Sequence, residues 1–178
     1  ELELNSNEGI TDLIEKRTDV AFRIGVLRDS TLHARPIGHS RIRVVASPEY
    51  LRRHGTPTRV EQLREHDLLG FTQPSSLNEW PLHDADGGPF VIAPAIASSS
   101  GETLRQMAVA GLGIACLSDF LTRQDRRDGR LVQLLARHTQ EVRQPINAVY
   151  YRNTALAARI TCFVDHVTQT LGQRPFDE

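Results

Sequence analysis

Ile96-Ala-Ser-Ser-Ser-Gly-Glu-Thr-Leu-Arg-Gln-Met-Ala-Val-Ala-Gly-Leu-Gly-Ile-Ala-Cys-Leu117 reads as a strand, a helix and a second strand in succession. Ile96-Ala97-Ser98 is a strand end. Ser99-x-x-Glu102 has the capping-box spacing, in which a hydroxyl takes a first-turn amide and the acidic side chain reaches back. Leu104, Met107 and Ala108 then fall at i, i+3 and i+4 and form one apolar face. Gly111 supplies the left-handed residue that ends many helices. Ile114 to Leu117 is short and wholly apolar, as a strand buried on both faces must be. Such alternation predicts an α/β protein with mostly parallel sheets.

The flanking sequence continues the pattern. Upstream, Glu1–Asn5 reads as a strand, and Ile10, Leu13 and Ile14 as a short amphipathic helix behind Asn7. Asp19–Gly25 is expected to be a buried strand, too apolar for an edge, and Leu32–Gly38 and Ile42–Ala46 are two more. Ser47-Pro48-Glu49 opens a helix, with proline at its favoured first position. A polar connector from Pro57 to Asp67, helical around Val60 and Leu63, leads to the strand Leu68–Thr72. Trp80 to Ile92 reads as a hairpin around Asp86-Gly87-Gly88, because Asp-Gly supplies the positive φ of a tight turn. Downstream, Asp119–Arg127 is expected to be a charged surface helix closed by Asp128-Gly129. Leu131–Leu135 and Ile146–Tyr151 are strands. Leu156, Ile160, Phe163, Val164, Val167 and Leu171 give the last helix an apolar stripe.

Charge and composition exclude several classes. The 178 residues carry 21 basic and 22 acidic side chains, so no overall field draws the chain to phosphate backbones or anionic lipid. Direct nucleic-acid binding by these residues is not expected. No stretch approaches the ~20 apolar residues of a membrane helix, and no secretory signal pattern opens the chain. A cytoplasmic address is therefore expected, with Cys116 and Cys162 as buried thiols in a reducing compartment. The start inside a strand-like segment, without an initiator methionine, suggests a fragment.

A search for catalytic chemistry returns little. There is no Gly-x-Ser-x-Gly elbow, P-loop, His-Glu-x-x-His or paired Cys-x-x-Cys, so neither enzyme activity nor a cofactor nor a metal is expected. Ala110-Gly-Leu-Gly-Ile-Ala115 lacks the third glycine of a dinucleotide loop and follows a helix instead of opening one. The seven histidines never pair at i, i+4. They read as solvated or loop residues, with His33 facing a ligand as the alternative. Asp84 and Asp86 read as turn residues. One feature has a binding mechanism: where Ser98-Ser99-Ser100-Gly101 passes from strand to helix, amides, hydroxyls and the positive end of a helix dipole meet, and carboxylates bind well at such places. An ordinary capped helix that binds nothing is the competing reading.

Six segments in order carry a resemblance: Asp19–Gly25, Asp29-Ser-Thr-Leu-His-Ala-Arg35, Ala46-Ser-Pro-Glu-Tyr-Leu-Arg-Arg-His-Gly-Thr-Pro57, His66-Asp-Leu-Leu-Gly-Phe71, Ala110–Ala115 and Asp128-Gly-Arg-Leu-Val132. Together they resemble the effector-binding domain of bacterial LysR-type transcription regulators over nearly the whole chain. The resemblance implies two Rossmann-like α/β lobes joined by two crossovers, similar to type 2 periplasmic binding proteins. It places lobe I at 1–62 plus 143–178, without its first strand and helix, and lobe II at 63–142.

The resemblance further implies a small-molecule effector between the lobes. Because ligands of open α/β sheets sit beyond the carboxyl ends of strands, the expected lining is Arg23, Ile24 and Gly25, then Thr72 and Gln73, then Ser99, Ser100 and Gly101, and finally Leu117 and Ser118. A homodimer is implied, or a tetramer in the parent, with promoter DNA bound only through a separate winged helix-turn-helix. The alternative is a solute-binding protein that serves a transporter.

Overall fold

A computed structural model describes residues 2–5, 18–25, 27, 32–151, 157–172 and 176. Its elements in chain order are β1 (Ala21–Ile24), β2 (His33–Ala46), α1 (Pro48–His54), β3 (Leu68–Phe71), β4 (Glu79–His83), β5 (Pro89–Val91), β6 (Ile96–Ser98) and α2 (Gly101–Val109). There follow β7 (Ile114–Ser118), α3 (Asp119–Arg127), β8 (Val132–Gln133), β9 (Arg143–Tyr150) and α4 (Ala157–Leu171). Short 3-10 turns occupy Val60–Glu65 and Ser75–Asn78. The helix expected around Ile10–Ile14 lies outside the described residues.

Contacts divide the chain into two compact units, Glu1–Gly9 with Ile42–Val142, and Ile10–Arg41 with Arg143–Glu178. The first changeover therefore falls at 41/42 and not at the expected 62/63. The reason is packing: Tyr50, Val60 and Leu63 join the same buried cluster as Trp80, Phe90 and Ile114, which commits residues 42–62 to the unit that holds β3 to β8. Strand β2 contributes its first part to one unit and its last to the other.

In the larger unit the sheet runs β2–β7–β3–β6, with β8 also paired to β2. Side chains alternate strictly between its faces. Val44, Ala46, Leu68, Ile114 and Cys116 enter one core with Tyr50 and the β4–β5 hairpin, whereas Val45, Leu69, Ala115 and Leu117 enter a second with Leu104 and Ala108 of α2. Burial on both faces is what made β7 read as one apolar run. β3 pairs in parallel with β6 and β7, but β2 is antiparallel to β7. In the smaller unit β1, β9 and β2 are all antiparallel. The sheets are thus mixed, where mostly parallel ones were expected.

Several local expectations change for definable reasons. β1 forms an edge of the described sheet and alternates, with Phe22 46% and Ile24 39% exposed, so its apolar run does not mark a buried strand. The two strands expected at Leu32–Gly38 and Ile42–Ala46 are one, because Gly38 to Arg41 stay paired with β9 and Ile42 onward pairs with β7, so the ladder does not end between them. Leu2–Asn5 is exposed and has no regular structure. Cys116 is buried, and burial pushes its thiol up from the ordinary range, but Cys162 is exposed on the face of α4 away from Ile160 and Val164.

The two glycines of Ala110–Ala115 serve packing. Gly111 ends α2 at φ +75°, and a Cβ on Gly113 would stand 2.3 Å from the Asp67 carbonyl oxygen. That oxygen accepts the Ile114 amide at 2.9 Å, so the close approach is part of the β3–β7 pairing.

Helix α3 carries the expected charges but does not lie wholly at the surface: Asp119, Thr122 and Asp125 are buried. Arg43 Nε and Arg126 Nη2 donate to Asp119 Oδ1 at 2.6 and 2.7 Å. Arg105 and Arg130 meet the two oxygens of Asp125 at 2.5 and 2.7 Å. Removing the carboxylate from such a pair strands buried guanidinium charge and costs about 3–5 kcal/mol, whereas an exposed pair is worth about 0–1 kcal/mol. Chemical denaturation of Asp119→Ala should therefore show a loss of about 3 kcal/mol or more. Asp128→Ala, at an exposed position, should stay within about 1 kcal/mol of the wild type.

Candidate functional site

The carboxyl ends of β3 and β6 stand side by side. Phe71 faces Ser98 in register, and the Thr72 amide donates to the Ser98 carbonyl at 3.0 Å, so the two chains leave the sheet together. Beyond β3, Thr72 and Gln73 are exposed; beyond β6, Ser99 is exposed, Ser100 half-buried and Gly101 buried. β7 lies on the other side of β3 and ends in Ser118, which is buried and precedes α3.

Of the expected lining residues, Thr72, Gln73, Ser99, Ser100 and Gly101 gather at this edge, with Ser118 at the end of the neighbouring strand. Leu117 does not face outward: at 2% exposure it belongs to the second core, because the alternation along β7 turns it toward α2. Arg23, Ile24 and Gly25 lie in the other unit, where Arg23 and Ile24 pair in register with Asn147 and Ile146 and the Gly25 amide donates to the Pro145 carbonyl at 2.8 Å.

Which serine caps α2 differs from the expectation. The cap is Ser100, whose hydroxyl accepts the Thr103 amide at 3.4 Å, while the Ser98 hydroxyl accepts the Ser100 amide at 3.2 Å. Glu102 does not complete a capping box. It accepts from Arg105 at 2.6 and 2.8 Å and from Gln106 at 2.9 Å. Chiefly through Arg105, its carboxyl is held down at about 2. The helix start therefore offers a ligand hydroxyls in positions fixed by their own amide contacts, and the nearby carboxylate is neutralised by an arginine.

A residue missed from the sequence shapes this edge. The Asn78 amide group accepts from the Phe71 N–H and donates to the Phe71 carbonyl, both at 2.8 Å, and so stands in for a neighbouring strand just before Thr72. Gly70 makes the approach possible, since a Cβ there would lie 2.7 Å from Asn78 Oδ1. A glycine inside a strand often marks such a contact, and Leu68-Leu-Gly-Phe71 held that signal. An open concavity elsewhere runs along one face of α4, past Thr161, Cys162, Asp165 and His166. It is formed by a single helix and brings no second set of polar groups to bear. Among the described residues no group of three His, Cys, Asp or Glu side chains could hold a metal ion, and no helix is long and apolar enough to cross a membrane.

A family model described as the LysR substrate binding domain matches residues 1–172. The chain belongs to the LysR substrate-binding domain family. It is 50% identical over 171 residues to the HTH-type transcriptional regulator CrgA of Neisseria meningitidis, covering 96% of this chain and 57% of that protein. The chain thus spans little more than half the length of that relative. The solved CrgA regulatory domain superposes with a TM-score of 0.85 at 49% identity, over 93% of this chain and 81% of the other. Full-length AphB of Vibrio cholerae, a virulence activator, gives 0.74 at 31% identity, over 94% of this chain and 57% of that one. These LysR-family relatives are transcription regulators, which sets aside the transporter alternative.

The cap assignment is testable without a ligand. Ser100→Ala should lower stability in thermal or urea unfolding by about 1 kcal/mol, the usual worth of an N-cap hydroxyl. Ser99→Ala, which removes no cap, should change it by less than about 0.5 kcal/mol.

Proposed function

We propose that this chain is the effector-sensing part of a bacterial transcription regulator whose promoter contacts are made by a helix-turn-helix outside these residues. The observation that carries the reading is the 50% identity, along 96% of this chain, to a regulator that is itself named HTH-type. The balance of basic and acidic side chains supports the same division of labour, since duplex DNA is held by neutralising phosphates. The proposed action is a population shift: an effector that prefers one state of the parent biases how the parent sits on DNA, with no catalysis by these residues. The parent works in the cytoplasm as a two-fold oligomer, in which the same surface patch serves both partners.

Within the larger unit, the proposed effector contacts are Thr72, Gln73, Ser99, Ser100, Gly101 and Ser118. The ligand class proposed is a small anion such as a carboxylate. Hydroxyls and the positive end of α2 complement negative charge, and Arg105 offsets Glu102.

In a mobility-shift assay with the parent's own promoter, these 178 residues should show no sequence-specific retention at physiological salt, whereas the parent should. Specific retention by the chain alone overturns the division of labour. For the ligand, native mass spectrometry of the purified parent identifies any small molecule that it retains, and calorimetric titration with that molecule follows. Ser100→Asp keeps a capping oxygen but adds a negative charge, and should weaken binding at least tenfold, about 1.4 kcal/mol. Unchanged affinity in a folded Ser100→Asp protein would show that the anion is not held at this helix.

A further inference from the structure

At the amino-terminal end of β3 the Asp67 carbonyl pairs with Ile114 of β7, but the Asp67 N–H is held by a side chain. Tyr50, 1% exposed, reaches from α1 into the core, and its hydroxyl oxygen accepts the Asp67 amide at 2.9 Å. The same oxygen lies 3.2 Å from His66 Nδ1. With the oxygen accepting from Asp67, the hydroxyl proton can be directed at Nδ1. In that arrangement Nδ1 accepts, and His66 is neutral with its proton on Nε2. Two hydrogen bonds in series thus run from the Asp67 N–H through the Tyr50 hydroxyl to His66. Such a chain is stronger than its separate links because each bond polarises the next.

We propose that the Tyr50–His66 hydrogen bond is a proton-sensitive latch on the start of β3, closed while His66 is neutral and open once His66 binds a proton. Protonation puts a hydrogen on Nδ1, so two donors face each other and the buried hydroxyl loses its acceptor. His66 is only partly buried and can turn toward water, leaving the Asp67 amide with the weaker half of the pair.

The surroundings bias the latch toward the closed state. From α1, the His54 ring stacks on Tyr50 with centroids 4.5 Å apart, and Arg53 lies close by; Glu65 and Asp67 flank His66 in sequence. Arg64, from the turn before β3, sits over the Phe90 ring at 5.2 Å and pairs with Asp84 of the hairpin. Burial, and next His54, hold the proton affinity of His66 below its ordinary value, against the opposing pull of Glu65 and Asp67. With the folded pKa depressed, the stability that the neutral ring contributes is complete above the unfolded pKa of about 6.5 and is lost as pH falls from there through the folded value. The latch stands on the geometry of Tyr50, His66 and Asp67 and holds whatever molecule the domain senses.

Two-dimensional NMR of the 178-residue chain, titrated from pH 8 to pH 5, tests the proposal. Long-range ring correlations should show His66 in the Nε2–H form at high pH, and the Asp67 amide should shift with the same midpoint as His66. In Tyr50→Phe the Asp67 shift should shrink to what a neighbouring histidine alone produces, and the His66 midpoint should rise, because the hydroxyl no longer favours the neutral ring. His66→Gln provides a second reading if Tyr50→Phe does not fold: glutamine offers a neutral acceptor at every pH, and the Asp67 amide should stop titrating. His54→Gln should leave the Asp67 titration in place. An Nδ1–H tautomer, an Asp67 amide indifferent to His66, a titration that survives His66→Gln, or one abolished by His54→Gln would each overturn the latch.

Discussion

Double-sided burial of β7 is the constraint from which the larger unit follows. All five residues from Ile114 to Ser118 are buried, and the four apolar ones are divided between two cores. A strand in that position needs neighbours on both edges and cover on both faces. β2 and β3 supply the edges; α2 covers one face, and α1 with the hairpin covers the other. The cost of admitting β7 so closely to β3 is visible at Gly113, where even a methyl group would collide with backbone. The same tightness extends to α3. Since β7 ends without a solvated turn, Asp119 begins the helix while still buried, and only the arginines that converge on it make that tolerable.

The strand ends that carry the candidate site inherit this rigidity. β3 is only four residues long, and a four-residue strand has few ladder bonds of its own. Its two ends are nevertheless both fixed by side chains that imitate backbone, Tyr50 at Asp67 and Asn78 at Phe71. Thr72 and Gln73 therefore leave the sheet from a clamped point, as do Ser99 and Ser100 through the Thr72–Ser98 bond. A binding edge built this way is preorganised: little conformational freedom remains to be lost when a ligand arrives.

Much of this was legible from local chemistry. Ser47-Pro48 does start a helix, with the Ser47 hydroxyl accepting the Tyr50 amide at 3.2 Å, and Gly87 does turn the hairpin at φ +83°. Gly111 does end α2, and β7 is the buried strand that its apolar run predicts. In each case the signal and its cause lie within a few residues of each other. The misreadings share the opposite property. Asp119 and Asp125 looked like surface charges because Arg43 is 76 positions from Asp119 and Arg105 is 20 from Asp125. His66 does lie in a loop, as expected, but its contact with Tyr50, 16 positions away, was out of reach of a local reading. The edge position of β1 is likewise a matter of topology, to which a run of apolar residues is blind.

At the strand ends, what decides which way each expected lining residue faces is parity. Along a strand, a shift of one residue exchanges one face for the other, and both faces of β7 are covered. Leu117 joins the core against α2, and Ser118, also buried, stands at the start of α3. Three consecutive serines posed the same problem at α2, since Ser98, Ser99 and Ser100 are chemically equivalent caps and only the backbone decides among them. Their hydroxyls are used in three different ways, with Ser98 holding the Ser100 amide, Ser100 holding Thr103, and Ser99 left exposed. An exposed hydroxyl between two occupied ones is the residue most available to a ligand, and substituting it costs the fold least. Ser99 is therefore the position at which the proposed sensing and the stability of the strand ends are best separated.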